Sequence, residues 1–247
     1  FGLAHWQFSL SASDANRFSI RLCREVTGRD KILVFNHCYH GSVDETVARL
    51  VDGEPVQRIG NIGPPVPIAE TTRVVEFNDF EGLERELAHG DVACVLMEPA
   101  LTNIGIVLPV DGYLEAVRRL TREHGTLLIN DETHTFCCGP GGYTKAHGLD
   151  PDMITIGKPI AGGIPTGAYG MTDELAERVL ERTVWEAADV GGVGGTLAGN
   201  ALSMAAARAT LSEVLTDDAF AHMIEMGERF EQGVQSVIDE TGLAWTV

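Results

Sequence analysis

Two residues at the ends of apolar runs stand out for the chemistry they could perform. Lys158 leaves the run "MITIG" and enters "AGGIPTG", whose glycines permit sharp turns and close backbone approach. A partly desolvated lysine amine can lose its proton and then act as a Schiff-base nucleophile toward a carbonyl. Asp131 closes the run "LLIND" at what would be the carboxyl edge of a sheet, where a carboxylate can meet the protonated ring nitrogen of a ligand. Thr133 would share its side if the strand geometry persists, and His134 could donate to an oxygen.

Two further polar stretches also follow apolar runs. In "SLSASDAN", Ser11, Ala12 and Ser13 stand where a strand gives way to a helix starting near Asp14, so free N–H groups and hydroxyls converge on a seat for an anion. The plain alternative is an ordinary Ser/Asp helix cap. In "VLMEP", Glu98 could orient a ligand or tie down a neighbouring loop. Glu132 reads as a solvated neighbour of Asp131, and Cys137 and Cys138 as inert small residues in a turn.

Competing motifs fail on spacing. A phosphate loop ending at Gly157-Lys158 would need glycine at the position of Asp152, and a dinucleotide fingerprint from Gly192 would need glycine at the position of Leu197. No His-Glu-x-x-His occurs, and His37 and His40 lack an evident third ligand, so no metal site is expected.

The elements that must position these residues alternate. "HWQFSL" reads as a strand, "DANRFSIRLCREVTG" as a helix closed by Gly28, and "KILVF" as the next strand, in the manner of a βαβ unit. Strands "RVVEF", "VACVLM", "TLLIND", "MITIG" and "GAYGM" follow, with helices "FEGLERELAHG" and "GYLEAVRRLTREHG" among them. Helical patterns then cover Asp173 to Arg182, Leu197 to Leu215 and Phe220 to Thr241, and the closing "GLAWTV" resembles a new strand. Asp52 to Thr71, rich in Pro and Gly, reads as a long surface excursion. Continuous apolar strands separated by helices predict an α/β fold, a mostly parallel sheet with helices on both faces.

Composition narrows the partners. The 247 residues, 44% of them hydrophobic, suffice for a sizeable core. A net charge of −18 repels nucleic acid from the average surface, so a phosphate ligand must be held locally. Five cysteines without a Cys-x-x-Cys pair suggest reduced thiols in a cytoplasmic setting, and no apolar run approaches the roughly eighteen residues that read as a membrane span.

An anion seat, a later aspartate at a strand end and a still later lysine before a glycine-rich turn is the arrangement that pyridoxal 5'-phosphate chemistry needs. The sequence resembles the class III aminotransferases, among the fold type I pyridoxal-phosphate enzymes, and within them the glutamate-1-semialdehyde aminomutase-like branch. The resemblance runs through "SIRLCREVTGRDKILVFNHCYHGS", "VLMEPALTNIGIVLPVDGYLEAVRRLTREHGTLLINDE", "GLDPDMITIGKPIAGGIPTGAYG" and "GGTLAGNALSMAAA". It implies that Lys158 forms the Schiff base and that Asp131 pairs with the pyridine nitrogen. It further implies that Tyr39 stacks on the ring, Thr133 lies on the other face and His134 near the ring hydroxyl. Ala12 and Ser13 match the family's phosphate-binding Gly-Thr, and Thr196 a threonine that reaches the phosphate of a neighbouring subunit, implying a homodimer with shared sites.

The implied activity is amino transfer between an amino acid or amine and a keto acid, the alternative being an aminomutase or racemase. "DETHTFCCGPGG" departs from the family's Asp-Glu-Val and lacks the arginine common after it, whereas Asn103 stands where ornithine and γ-aminobutyrate enzymes carry a glutamate, as in the aminomutase branch. The family's chains extend on both sides. Residues 1–241 therefore read as a large cofactor-binding domain incomplete at its N-terminal side, and 242–247 as the start of a truncated small domain.

Overall fold

Seven strands form one sheet in the computed structural model, which describes residues 1–63, 66–182 and 193–247. They are β1 (His5–Ser9), β2 (Lys31–Phe35), β5 (Thr72–Val75), β6 (Val92–Met97), β7 (Leu127–Asp131), β8 (Met153–Ile156) and β9 (Gly167–Met171), and their lateral order is β1-β9-β8-β7-β6-β2-β5. From β8 to β5 all pairs are parallel, and β9 runs antiparallel to both β8 and β1. The connection from β8 to β9 is too short for the crossover that parallel strands require, so the chain folds straight back. That short return carries Lys158.

All six residues of β6 are buried, as a strand covered on both faces demands. Helix α1 (Ala12–Thr27) packs across β6, β8 and β9 on the face to which Asp131 points, where Asn16 meets it. Helices α4 (Tyr113–Glu123) and α5 (Gly142–Ala146) lie on the opposite face, where Asn130 bonds Thr144. Alternation along β7 thus sends Asn130 one way and Asp131 the other.

The first strand, helix and strand do not form a simple βαβ unit. β1 sits at one edge, with β9, β8, β7 and β6 between it and β2. Periodicity sets the type of an element, but its lateral neighbours depend on contacts distant in sequence. The excursion contains part of a hairpin, β3 (Ala48–Val51) with β4 (Glu54–Gln57), and the short α2 (Ile68–Thr71), while Pro64 and Pro65 lie outside the described residues, as does Gly192.

Helices α3 (Phe80–Leu87) and α6 (Asp173–Leu180) fall where the periodicity puts them. The pattern from Leu197 begins later, because Asn200 caps Ser203 N–H and α7 spans Ala201–Ala209, followed by a π-turn at Thr210–Val214. Helix α8 spans Asp217–Thr241. Residues 243–247 form no strand, since Leu243 N–H turns back to the Ile238 carbonyl at the helix end instead of joining a ladder. No helix among the described residues is long and apolar enough to cross a membrane, and all five cysteines are free.

Candidate active site

A cavity of about 380 Å³ opens at the carboxyl end of β7 and β8. Ala12, Ser13, Tyr39, Asp131, Thr133 and Lys158 line it together, although they come from widely separated parts of the chain. Of the residues singled out from the sequence, exposed His134 and exposed Thr196 do not line it.

The N-terminus of α1 forms one wall. Ser11 caps the helix, accepting the Asp14 N–H at 3.1 Å and donating to the Asp14 carboxylate at 2.9 Å. The plain capping role is therefore real. The next N–H groups, of Ala12 and Ser13, belong to the set that no helix satisfies internally, and among the described residues no carbonyl accepts them, which leaves them open to an anion. Glycines admit this helix end: a Cβ on Gly157 would come within 2.7 Å of the Ala12 Cβ, and one on Gly41, whose φ is +81°, would overlap Ser13 Oγ. Ser42 N–H then donates to that same Oγ at 3.1 Å, fastening the loop from β2 to the helix.

That loop carries Tyr39, which is 52% exposed and so presents its ring to the cavity rather than to the core. Glu98, buried at the end of β6, accepts Tyr39 N–H at 2.9 Å and both the N–H and hydroxyl of Thr102. Of the two roles open to Glu98, tying down a loop is the one its contacts serve.

Asp131 is buried and accepts three donors: His40 Nδ1 at 2.8 Å and Asn16 Nδ2 at 2.8 Å on Oδ2, and Thr133 N–H at 3.1 Å on Oδ1. Burial alone would raise its pKa, but the bonds from His40, Thr133 and Asn16 outweigh that and lower it, so the group is a carboxylate. Lys158 adopts a left-handed backbone with φ +50°. Partial burial lowers the pKa of its amine, against the opposing attraction of Asp131 and Glu98. A lowered pKa puts more of the amine in its nucleophilic form.

Glu132 is not a solvated neighbour. It is fully buried and accepts the Thr135 hydroxyl and the N–H groups of Tyr143 and Thr144, which anchors α5 beneath the end of β7. Being next to Asp131 on a strand, it must point to the other face, and there the helix supplies its partners. His40, Asn16 and Thr166 also belong to the site and went unread in sequence. In sequence His40 reads only as a metal ligand without companions, Asn16 lies inside a helix pattern, and Thr166 falls in the glycine-rich turn. Among the described residues no group of three or more His, Cys, Asp or Glu could hold a metal.

Residues 4–242 match the family model described as aminotransferase class-III. The chain belongs to the class-III aminotransferase family. Curated members similar to it include the glutamate-1-semialdehyde 2,1-aminomutases of Akkermansia muciniphila, 36% identical over 96% of the chain, and of Aquifex aeolicus, 36% identical over 98%. This class-III chain spans about half the length of those relatives, 55% and 56%. Among solved structures, the glutamate-1-semialdehyde aminomutase of Pseudomonas aeruginosa is 51% identical and superposes with a TM-score of 0.96, over 100% of this chain and 56% of that one. A variant of the Pseudomonas protein has been solved with PMP. An omega-transaminase from Sphaerobacter thermophilus is 30% identical, with a TM-score of 0.84 over 99% of this chain and 57% of its own.

Proposed function

We propose that the cavity is the pyridoxal-phosphate site of an enzyme that moves an amino group, and that the transfer stays within one molecule, as in an aminomutase. The observation that carries the reading is the meeting in one cavity of an ionised Asp131, the Lys158 amine and the free N-terminus of α1. The fit is tested by what the cavity leaves unsatisfied: the hydroxyls of Thr133 and Thr166 line it, are buried and have no partner among the described residues. A polar aromatic ligand with an anionic tail would engage them.

When bound, pyridoxal phosphate supplies a carbonyl that condenses with amines and a ring that accepts the electron pair freed at the amine-bearing carbon. Asp131 would hold the proton on the ring nitrogen, and the α1 N-terminus with Ser13 would hold the phosphate. Tyr39 would cover one ring face and Thr133 the other. Lys158 would attach the cofactor and, once displaced by substrate, carry a proton to and from the reacting carbon. His134 and Thr196 keep their implied roles only as part of this proposal, Thr196 through a homodimer.

The aminomutase outcome is supported by the names of the similar curated proteins and by Asn103, which stands exposed in the loop after Glu98. Transfer from an amino acid or amine to a separate keto acid is the second reading, favoured by the likeness to the omega-transaminase. Reduction of the cofactor-loaded protein with borohydride should fix a pyridoxyl group on Lys158, detectable by peptide mass. Equal labelling of Lys158→Ala elsewhere in the chain would remove the proposal. Consumption of glutamate 1-semialdehyde with no keto acid present selects the aminomutase, and an absolute need for a keto acid selects the transaminase.

A further inference from the structure

Asp131 is held by more than its own strand. His40 Nδ1 lies 2.8 Å from Asp131 Oδ2, with the two side chains 0% and 4% exposed. Asn16 donates to the same oxygen from Nδ2 at 2.8 Å, and its orientation is locked because its Oδ1 accepts the Thr155 hydroxyl at 2.6 Å. An ionised carboxylate can only accept, so His40 donates from Nδ1 and its tautomer is fixed. Oδ2 thereby has two donors and Oδ1 one, the Thr133 N–H. Since a carboxylate offers about four acceptor positions, the one left open belongs to Oδ1, on a residue that lines the cavity.

The other side of His40 makes no such bond. Among the described residues Nε2 is buried without a hydrogen-bond partner, and the titratable groups that act on the ring are Cys38 and Asp131. Burial disfavours a charge on the ring, but Cys38 and Asp131 outweigh it and raise the His40 pKa. A histidine present only to fill space would leave one buried nitrogen unpartnered with nothing in return.

We propose that His40 is the positioning residue for Asp131: its Nδ1–H, seated with Asn16 on Oδ2, keeps the carboxylate ionised and turned so that Oδ1 is free to hold the proton of the cofactor's ring nitrogen. This rests on the pyridoxal-phosphate reading of the cavity. His40 acts on the ring nitrogen through Asp131, the carboxylate it holds.

The full chain, labelled with 15N-histidine and free of cofactor, is expected to give a protonated Nδ1 signal for His40 that moves in Asp131→Asn. Loaded with 15N-pyridoxal phosphate, wild type and His40→Asn should hold the ring nitrogen protonated, because the asparagine amide can donate from near the place of Nδ1. In His40→Phe and His40→Gln the ring signal should move toward the unprotonated form and the cofactor should bind about tenfold more weakly, the size of one hydrogen bond to a charged group. A Phe variant that keeps both properties overturns the proposal, as does an Asn variant that loses as much as Phe. If wild type takes up no pyridoxal phosphate, the function proposed above fails. The histidine signal then decides alone: an unprotonated Nδ1, or one indifferent to Asp131→Asn, overturns the role of His40.

Discussion

Lys158 carries two burdens at one position. Its amine is pushed toward the neutral form by partial burial, and its backbone sits at φ +50°, where a side chain with a Cβ is strained. The strain is the consequence of leaving β8 for a turn that begins at once, with Gly157 pressed on α1 behind it. Lys158→Gly should therefore be more stable than Lys158→Ala by about 1 kcal/mol, since glycine adopts that conformation freely. Urea denaturation of the two variants, both without the amine, reads this difference. Equal midpoints would mean that the turn relaxes around alanine. Lys158 and Asp131 were legible in sequence because each is a polar residue directly after an apolar run. Glu132 was misread for the same reason: adjacency along a strand says which face a residue takes, but not what covers that face.

At the level of elements, the sheet's far edge is pinned by charge. Arg73 on β5 donates to both carboxylate oxygens of Asp91 at 2.7 Å and to Glu86 at 2.8 Å. The bond from Arg73 is the main cause that lowers the Asp91 pKa, against modest burial. A carboxylate with a depressed folded pKa stabilises the protein above its unfolded value and loses that contribution as pH falls through the folded one. At neutral pH Asp91→Asn should melt below wild type. The gap should close as the pH is lowered from about 5 into the range where Asp91 is protonated. A gap that persists in acid would assign the loss to packing and not to charge. Helices α3 and α6 each start at a side-chain cap, Asp79 and Thr172, which accept the N–H groups of Gly82 and Leu175.

For the whole molecule, the position of Thr196 bears on assembly. It is exposed and does not line the cavity of its own chain. If Thr196 completes the phosphate seat of a neighbouring copy, Lys158→Ala and Thr196→Ala chains should each bind pyridoxal phosphate poorly, and mixing them should restore one intact site per mixed dimer. Binding titrations of the separate and mixed proteins test this, and absence of any recovery on mixing would place Thr196 outside the site. The charge of −18 acts at this scale as well, since it leaves anion binding to local N–H groups. By itself the sequence determined the alternation of strands and helices, the cap residues of α1, and the polar residues at strand ends, because periodicity and capping act within a few residues. Only the tertiary structure decided that β1 lies far from β2, that Glu132 is sealed beneath α5, and that His40 and Asn16 converge on one oxygen of Asp131. Such contacts join residues up to 115 positions apart, and no local pattern records which distant groups a packed sheet will bring together.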